Sequence, residues 1–280
     1  MTERSIQELI GPNGFFEKRG EVGVLLVHGL TGTPAEMRHF GRQLSRKGLT
    51  VACPQLAGHC DSVEALKASS WEDWYRSVDE AFEAMTRECR QVHVAGLSMG
   101  ALLGLLLAAR KKERLAGVTL LSPTFFYDGW NVPKWRQRLL LPLVIYSPLR
   151  YFLSWEEPPP YGIKDERVRA MVAAVLENRD SRTADKIGHF KTPATVIRES
   201  KGLIRAAKRC LSEVQRPTLV VHSLEDDMAS VKNAHFVTDR ISSERIETFF
   251  VDDSYHVLTL DKRKDDIAKR VAAFCIAEPA

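Results

Sequence analysis

Cysteine is scarce in this chain, which has five among its 280 residues: Cys53, Cys60, Cys89, Cys210 and Cys275. Their number is odd, their spacing is wide, and no two form a Cys-x-x-Cys pair. The sequence therefore predicts neither a disulfide framework nor a zinc site. Thiols that stay unpaired are typical of a reducing compartment, so we expect a cytoplasmic protein.

Long apolar runs are also missing. The first twenty residues contain Glu3, Glu8, Glu17 and Lys18 without a continuous apolar segment, so we expect no signal peptide. No run of about 18 uncharged apolar residues predicts a membrane span.

An excess of one charge is lacking too, because 40 basic and 36 acidic residues leave a net charge of +4 that is evenly scattered. We therefore expect no nucleic-acid partner.

Short apolar runs alternate with longer segments of helical period. This alternation predicts an α/β fold with a mostly parallel central sheet and helices on both faces. Helices are expected at residues 34–47, 71–88, 101–110 and 260–276. The predicted strands are residues 22–27, 50–52, 92–95, 117–122, 218–222 and 246–251.

The connection between the predicted strands at 117–122 and 218–222 is far longer than one helix with two short loops. We expect residues 123–196 to form an inserted, mainly helical cap, with residues 1–122 and 197–280 as the core. A second cap helix is expected from Asp165 to Leu176. Residues 129–155 carry four basic side chains, no acidic ones and many aliphatic and aromatic ones. They form either a cap helix packed on the core or a lid that touches an acyl chain or a membrane surface.

The sequence Gly-Leu-Ser-Met-Gly at residues 96–100 lies between an apolar strand and a helix-like stretch. This context is typical of a nucleophile elbow, in which a serine occupies a strained, tight strand-to-helix turn. The flanking positions must lack bulky side chains, and Gly96 and Gly100 meet that need. The turn exposes the Ser98 hydroxyl next to a helix N-terminus, where an oxyanion would be stabilised. We therefore predict Ser98 as a nucleophile for acyl transfer.

A serine hydroxyl needs a histidine base, and the base needs a carboxylate to orient it. After such an elbow the acid and then the histidine follow in chain order, each behind a late strand. Only His256 follows the strand at 246–251 in this way. For the acid, Glu225, Asp226 and Asp227 are adjacent and spacing alone does not separate them, whereas Asp252 and Asp253 compete more weakly. A histidine base predicts a rate that rises through roughly pH 6 to 7.

The oxyanion hole is expected to combine the Met99 N–H with an N–H from the glycine-rich turn at residues 28–32, and Leu30 is the predicted second donor. His28 in that turn is more typical of a structural hydrogen-bonding residue than of a base.

At these residues the chain resembles the bacterial carboxylesterase and monoacylglycerol-lipase branch of the α/β-hydrolase fold. The shared motifs are an HGLTG-type oxyanion loop at 28–32, a GLSMG elbow at 96–100 and a His-Val-x-Thr-Leu-Asp ending at 256–261. The resemblance implies Ser98 as nucleophile, Asp226 rather than Asp227 as acid and His256 as base. It also implies Leu30 and Met99 as amide donors. The cap is longer and more apolar than in compact esterases, so the resemblance implies the mechanism better than the substrate.

We therefore expect a serine hydrolase that cleaves carboxylic esters of medium or longer acyl chains through an acyl-enzyme. This mechanism requires no metal and no organic cofactor. The partners expected are a small-molecule acyl ester and, through the cap, a membrane or lipid surface. An acyl thioesterase would use the same machinery, and a hydrolase fold that binds a ligand without catalysis is an alternative of another class.

Overall fold

A seven-stranded sheet forms the centre of the protein in a computed structural model, which describes residues 4–132, 139–178 and 191–277. The strand order is β1-β3-β2-β4-β5-β8-β9, and every pair is parallel except β1 with β3. The six parallel strands are the six that the sequence predicts, so the α/β fold class is confirmed. The strands of this sheet are β1 (Phe15–Glu17), β2 (Val22–Val27), β3 (Thr50–Cys53), β4 (Gln91–Leu97), β5 (Gly117–Leu121), β8 (Thr218–Ser223) and β9 (Ile246–Val251).

Helices cover both faces of the sheet, because successive side chains of a strand point to opposite faces. In β2, Leu25 and Val27 pack in one apolar cluster with α4, α5 and α8, whereas Val24 and Leu26 pack in another with α2 and α10. The helices are α1 (Ile6–Leu9), α2 (Pro34–Arg46), α3 (Val63–Ala68), α4 (Trp71–Glu88), α5 (Met99–Lys111), α6 (Leu141–Ile145), α7 (Glu166–Asn178), α8 (Ala194–Cys210), α9 (Lys232–Thr238) and α10 (Lys264–Ile276).

The predicted starts of α2 and α4 match the structure. Thr33 caps α2 by accepting a hydrogen bond from the Ala35 N–H, with Pro34 at the first helical position. Ser70 caps α4 in a capping box with Asp73. The C-terminal helix begins at Lys264, four residues later than predicted.

The segment between β5 and β8 contains α6, α7 and α8 together with a two-stranded antiparallel sheet, β6 (Ser154–Glu156) and β7 (Lys191–Pro193). The helix α8 packs on α4 and α5, so the predicted boundary between residues 196 and 197 falls inside it. The division into core and cap stays a prediction. Part of the apolar segment, residues 133–138, lies outside the described residues. In the described part of the chain, no helix is long and apolar enough to cross a membrane.

Candidate active site

The turn between β4 and α5 holds Ser98 in a backbone conformation that side chains rarely adopt, with φ 55° and ψ −111°. Such a turn needs room on both sides. A Cβ atom on Gly96 would lie 2.1 Å from the Gly100 carbonyl oxygen, and one on Gly100 would lie 2.3 Å from the Val27 carbonyl oxygen. Both glycines are therefore required by the close approach of backbone to backbone.

A chain of hydrogen bonds joins the three predicted catalytic side chains. The His256 Nε2 atom lies 2.9 Å from Ser98 Oγ, and His256 Nδ1 lies 2.8 Å and 3.0 Å from the two oxygens of Asp226. All three residues are buried. With Nδ1–H donating to the carboxylate, Nε2 is free to accept the serine proton.

The acidic turn after β8 uses its three carboxylates differently. Asp226 Oδ1 accepts hydrogen bonds from the N–H groups of Met228 and Ala229 at 2.9 Å and 2.7 Å, which fix the carboxylate against His256. Glu225 instead forms an ion pair with Lys164 at 2.7 Å. Asp227 Oδ2 accepts from the Gly162 N–H at 3.3 Å. Of the three, Asp226 alone contacts the imidazole.

Charge around His256 favours its protonated form. Burial disfavours that form, but the charge and hydrogen bond of Asp226 outweigh burial, and Asp227 and Glu157 add to them, so the pKa of His256 is raised to about 9. The reciprocal effect holds for the acid. Burial acts to raise the pKa of Asp226, yet the His256 contact keeps it below its ordinary value.

The pH profile of ester hydrolysis tests this electrostatic arrangement. Because the base must be neutral, kcat/KM is expected to rise with pH through a midpoint above the ordinary histidine value of 6.5, toward about 9. This expected midpoint lies above the range of about pH 6 to 7 that an isolated histidine predicts.

Two variants check the physical cause. Asp227→Asn and Glu157→Gln each remove a negative charge near the imidazole, so each is expected to move the midpoint to lower pH. Steady-state kinetics across pH 5 to 10 on a soluble ester measures the shift, with roughly equal buffer strength throughout. A wild-type midpoint at or below 6.5 would contradict the prediction.

Of the two predicted oxyanion donors, Met99 directly follows Ser98 in the chain, and Leu30 lines the same cavity as Ser98. Among the described residues, neither N–H donates to another protein group. The Met99 N–H is the first of α5, where the helix dipole favours negative charge. The peptide between Gly29 and Leu30, which carries the Leu30 N–H, is fixed at its carbonyl oxygen, because His28 Nδ1 lies 3.0 Å from that oxygen. Burial lowers the pKa of His28 to about 4, so this ring is a neutral structural donor rather than a base.

A cavity of about 470 Å³ opens above Ser98 and His256. Much of its wall is apolar, with Leu141, Trp155, Val172 and Ile197 contributed by the segment between β5 and β8. Among the described residues, no group of three His, Cys, Asp or Glu side chains is arranged to hold a metal ion.

Sequence reasoning missed three polar residues of this site. Thr124 Oγ1 lies 3.1 Å from Ser98 Oγ and donates to the Ser122 oxygen. Glu36 and Glu157 line the cavity, and burial raises the pKa of each to about 7. Thr124 follows the end of the predicted strand at 117–122, and a polar residue just after the carboxyl end of a parallel strand is a signal that could have indicated it. No local pattern indicates the two glutamates.

The chain has relatives across nearly its full length. A thermostable monoacylglycerol lipase of Bacillus sp. (strain H-257) is 29% identical over 266 residues, which are 95% of each chain. A carboxylesterase of Bacillus subtilis (strain 168) is 25% identical over 273 residues, 95% of this chain and 97% of the relative. A solved structure from the work on the metagenome-derived lipolytic enzymes LipS and LipT has a TM-score of 0.78 and 26% identity, covering 94% of this chain and 96% of that one.

These relatives confirm the resemblance that the motifs carry. The family match extends over residues 20–263, from β2 to the start of the C-terminal helix. The chain belongs to the Hydrolase_4 family, described as serine aminopeptidase, S33.

Proposed function

We propose that this protein hydrolyses carboxylic esters through an acyl-enzyme, with Ser98 as nucleophile, His256 as base and Asp226 as the acid that orients the base. Ester hydrolysis is the activity of its named relatives, and the chain is accordingly a carboxylic ester hydrolase. The observation that carries the residue assignment is the 2.9 Å contact between Ser98 Oγ and His256 Nε2 at the floor of the cavity.

In the first half of the reaction, Ser98 Oγ attacks the ester carbonyl while its proton passes to His256 Nε2. The carbonyl oxygen becomes an oxyanion, which the N–H groups of Leu30 and Met99 stabilise. Collapse of this intermediate releases the alcohol, which takes the proton from His256. Water then repeats the sequence on the acyl-enzyme, so the products are a carboxylic acid and free enzyme.

Labelling by a fluorophosphonate separates this proposal from a hydrolase fold that only binds ligands. The reagent phosphonylates an activated serine, so mass spectrometry is expected to find one adduct, on Ser98. Prior incubation with an ester substrate should slow the labelling. A chain that hydrolyses no ester and takes up no label would refute the proposal.

The acyl part of the substrate is proposed to be medium or longer in length. The apolar wall formed by Leu141, Trp155, Val172 and Ile197 removes methylene groups from water, and each buried methylene contributes about 0.8 kcal/mol. A monoacylglycerol lipase among the relatives is consistent with such a substrate.

A series of p-nitrophenyl esters, from C2 to C12 in acyl length, tests the acyl preference. Two added carbons are expected to raise kcat/KM by about tenfold until the cavity is full. Acyl-CoA thioesters of the same lengths measure the alternative thioesterase activity, and faster turnover of these would favour it. A maximum at acetate would discard the acyl-pocket proposal.

The segment from residue 139 to residue 153 is proposed to contact the lipid surface that holds the substrate. Val144 and Ile145 are buried in a small apolar cluster, but several other apolar side chains of the segment face solvent: Leu143 is 69% exposed and Phe152 is 84% exposed. Residues 129–155 contain no acidic side chain, so no negative charge on this segment opposes an anionic lipid surface. Exposed apolar area of this kind is typical of a contact site.

Co-sedimentation with vesicles of mixed neutral and anionic phospholipid tests this contact. The double variant Leu143→Ser, Phe152→Ser is expected to bind vesicles at least about tenfold more weakly, because two apolar anchors are lost. Ile276→Ser, which changes an exposed apolar residue at the end of α10, is the matched control. Equal binding by the double variant and the control would contradict the contact.

The proposed location is a reducing cytoplasm. All five cysteines are free thiols in the structure, which is the state that such a compartment maintains.

A further inference from the structure

The Glu36 side chain bonds to the loop beside the nucleophile. Its Oε1 atom accepts a hydrogen bond from the Gly29 N–H at 2.6 Å. Gly29 directly precedes Leu30, the proposed oxyanion donor. The carboxyl group therefore acts one residue away from a group that would touch the reacting oxygen.

The position of Glu36 in α2 is one from which a glutamate can cap its own helix. Glu36 is the third residue of the helix after the Thr33 cap, where a glutamate ordinarily turns back to the N–H of its own cap residue. In α1 this ordinary arrangement is present, because the Ser5 N–H donates to Glu8 at 2.7 Å. Glu36 reaches further, seven residues back along the chain to Gly29.

Gly32 makes room for the carboxyl group. A Cβ atom on Gly32 would lie 2.5 Å and 2.6 Å from the two oxygens of Glu36, and the three heavy atoms nearest to it all belong to Glu36. The missing side chain at Gly32 thus leaves the space that the carboxyl group occupies. The carboxyl group is packed against the loop backbone on one side and lines the substrate cavity on the other.

The backbone of Gly29 needs hydrogen bonds from other residues to hold a single conformation. A glycine has the widest range of backbone conformations, and a change at Gly29 would turn the following peptide, which carries the Leu30 N–H. His28 and the Gly32 N–H fix the carbonyl end of Gly29 at 3.0 Å and 3.2 Å. Glu36 fixes its N–H end.

We propose that Glu36 is a positioning residue of the ester hydrolase, whose carboxyl group clamps Gly29 so that the Leu30 N–H points at the oxyanion. This inference rests on the proposed function. Burial raises the pKa of Glu36 to about 7 despite the bond from Gly29, so the site tolerates a carboxyl group in an environment that disfavours its charge. The corresponding glutamate of α1, Glu8, is exposed.

The first experiment compares Glu36→Ala and Glu36→Gln, with Glu8→Gln as the control for a helix-start glutamate. Active sites are counted with a fluorophosphonate taken to completion. Glu36→Ala is expected to lower kcat by about 10- to 100-fold with KM nearly unchanged, a part of the effect of losing a whole oxyanion donor. Glu36→Gln retains an oxygen acceptor and is expected to restore most of kcat, while Glu8→Gln equals wild type.

A boronic acid that forms a tetrahedral adduct with serine gives a readout that a purely structural role would not move. Its affinity is expected to fall in Glu36→Ala by the same factor as kcat/KM. Affinity and kcat per active site equal to wild type in Glu36→Ala would overturn the inference. So would an equal loss in the alanine and glutamine variants.

The variant Gly32→Ala provides an independent test of the same inference. It is expected to lower kcat in the wild-type background, because the added methyl group displaces the carboxyl group, and to have little further effect in Glu36→Ala. Additive losses would overturn the inference. Wild type that neither hydrolyses esters nor takes up the label would refute the proposed function, whereas an active wild type with unaffected Glu36 variants would refute only the role of Glu36.

Discussion

Ser98→Ala is expected to abolish ester hydrolysis, with a loss of kcat on the order of a million-fold, because removal of the nucleophile disables the whole triad. Alanine keeps the backbone of the elbow and removes only one oxygen, so the fold and thermal stability should be retained. The measurement is turnover of a soluble p-nitrophenyl ester, together with circular dichroism.

Ser62→Ala is the matched control for this loss. Ser62 caps α3 through its side chain, so its replacement is expected to cost about 1 kcal/mol of stability and to leave turnover unchanged. Residual activity of Ser98→Ala above a few per cent of wild type would remove Ser98 from the role of nucleophile.

Asp226→Asn is expected to lower kcat by about ten-thousand-fold. An asparagine amide that faces Nδ1 favours the wrong tautomer of His256. The N–H groups of Met228 and Ala229, which donate to Asp226 Oδ1, would also act on the orientation of the new amide. The neighbouring variant Asp227→Asn is the control, because Asp227 bonds to the Gly162 N–H and not to the imidazole. Its effect on kcat is expected to be mild.

The two variants are compared at a pH above the midpoint of each pH profile. The midpoint shift expected for Asp227→Asn then does not affect the kcat values that are compared. A larger loss for Asp227→Asn than for Asp226→Asn would move the acid by one residue along the turn. Comparable large losses would mean that the two carboxylates act together on His256.

Much of the core could be predicted because its strands are long, apolar and buried. Val24 to Leu26 and Val92 to Ala95 lie in strands buried on both faces, and such strands are mostly apolar in the sequence, with His93 as the polar exception here. The strands β1, β6 and β7 were not predicted, since each has three residues and its pairing depends on distant partners. The helix α8 was not predicted either, although Val196, Ser200 and Leu203 share one buried face.

The candidate site likewise contains residues that the sequence predicts and residues that it does not. Ser98 and His256 have local contexts, a glycine-flanked turn and a position after a late strand, that spacing identifies. Spacing did not separate Asp226 from its acidic neighbours, because a one-residue choice within a turn depends on where the backbone N–H groups point. Glu36 and Glu157 enter the cavity through packing between distant segments, which leaves no periodic trace in the sequence.

The pairing of β5 with β8 also bears on how this protein could diversify. These strands are direct neighbours, with Leu121 opposite Val221, although most of the cavity roof is encoded between them. Strands in a ladder are about 5 Å apart, and lengthening a loop with fixed ends costs little entropy. Evolution or a designer could therefore exchange α6 and β6, which supply Leu141 and Trp155 of the roof, while the ladder keeps its register and α8 stays packed on α4 and α5. New selectivity would then arise without rebuilding the catalytic floor.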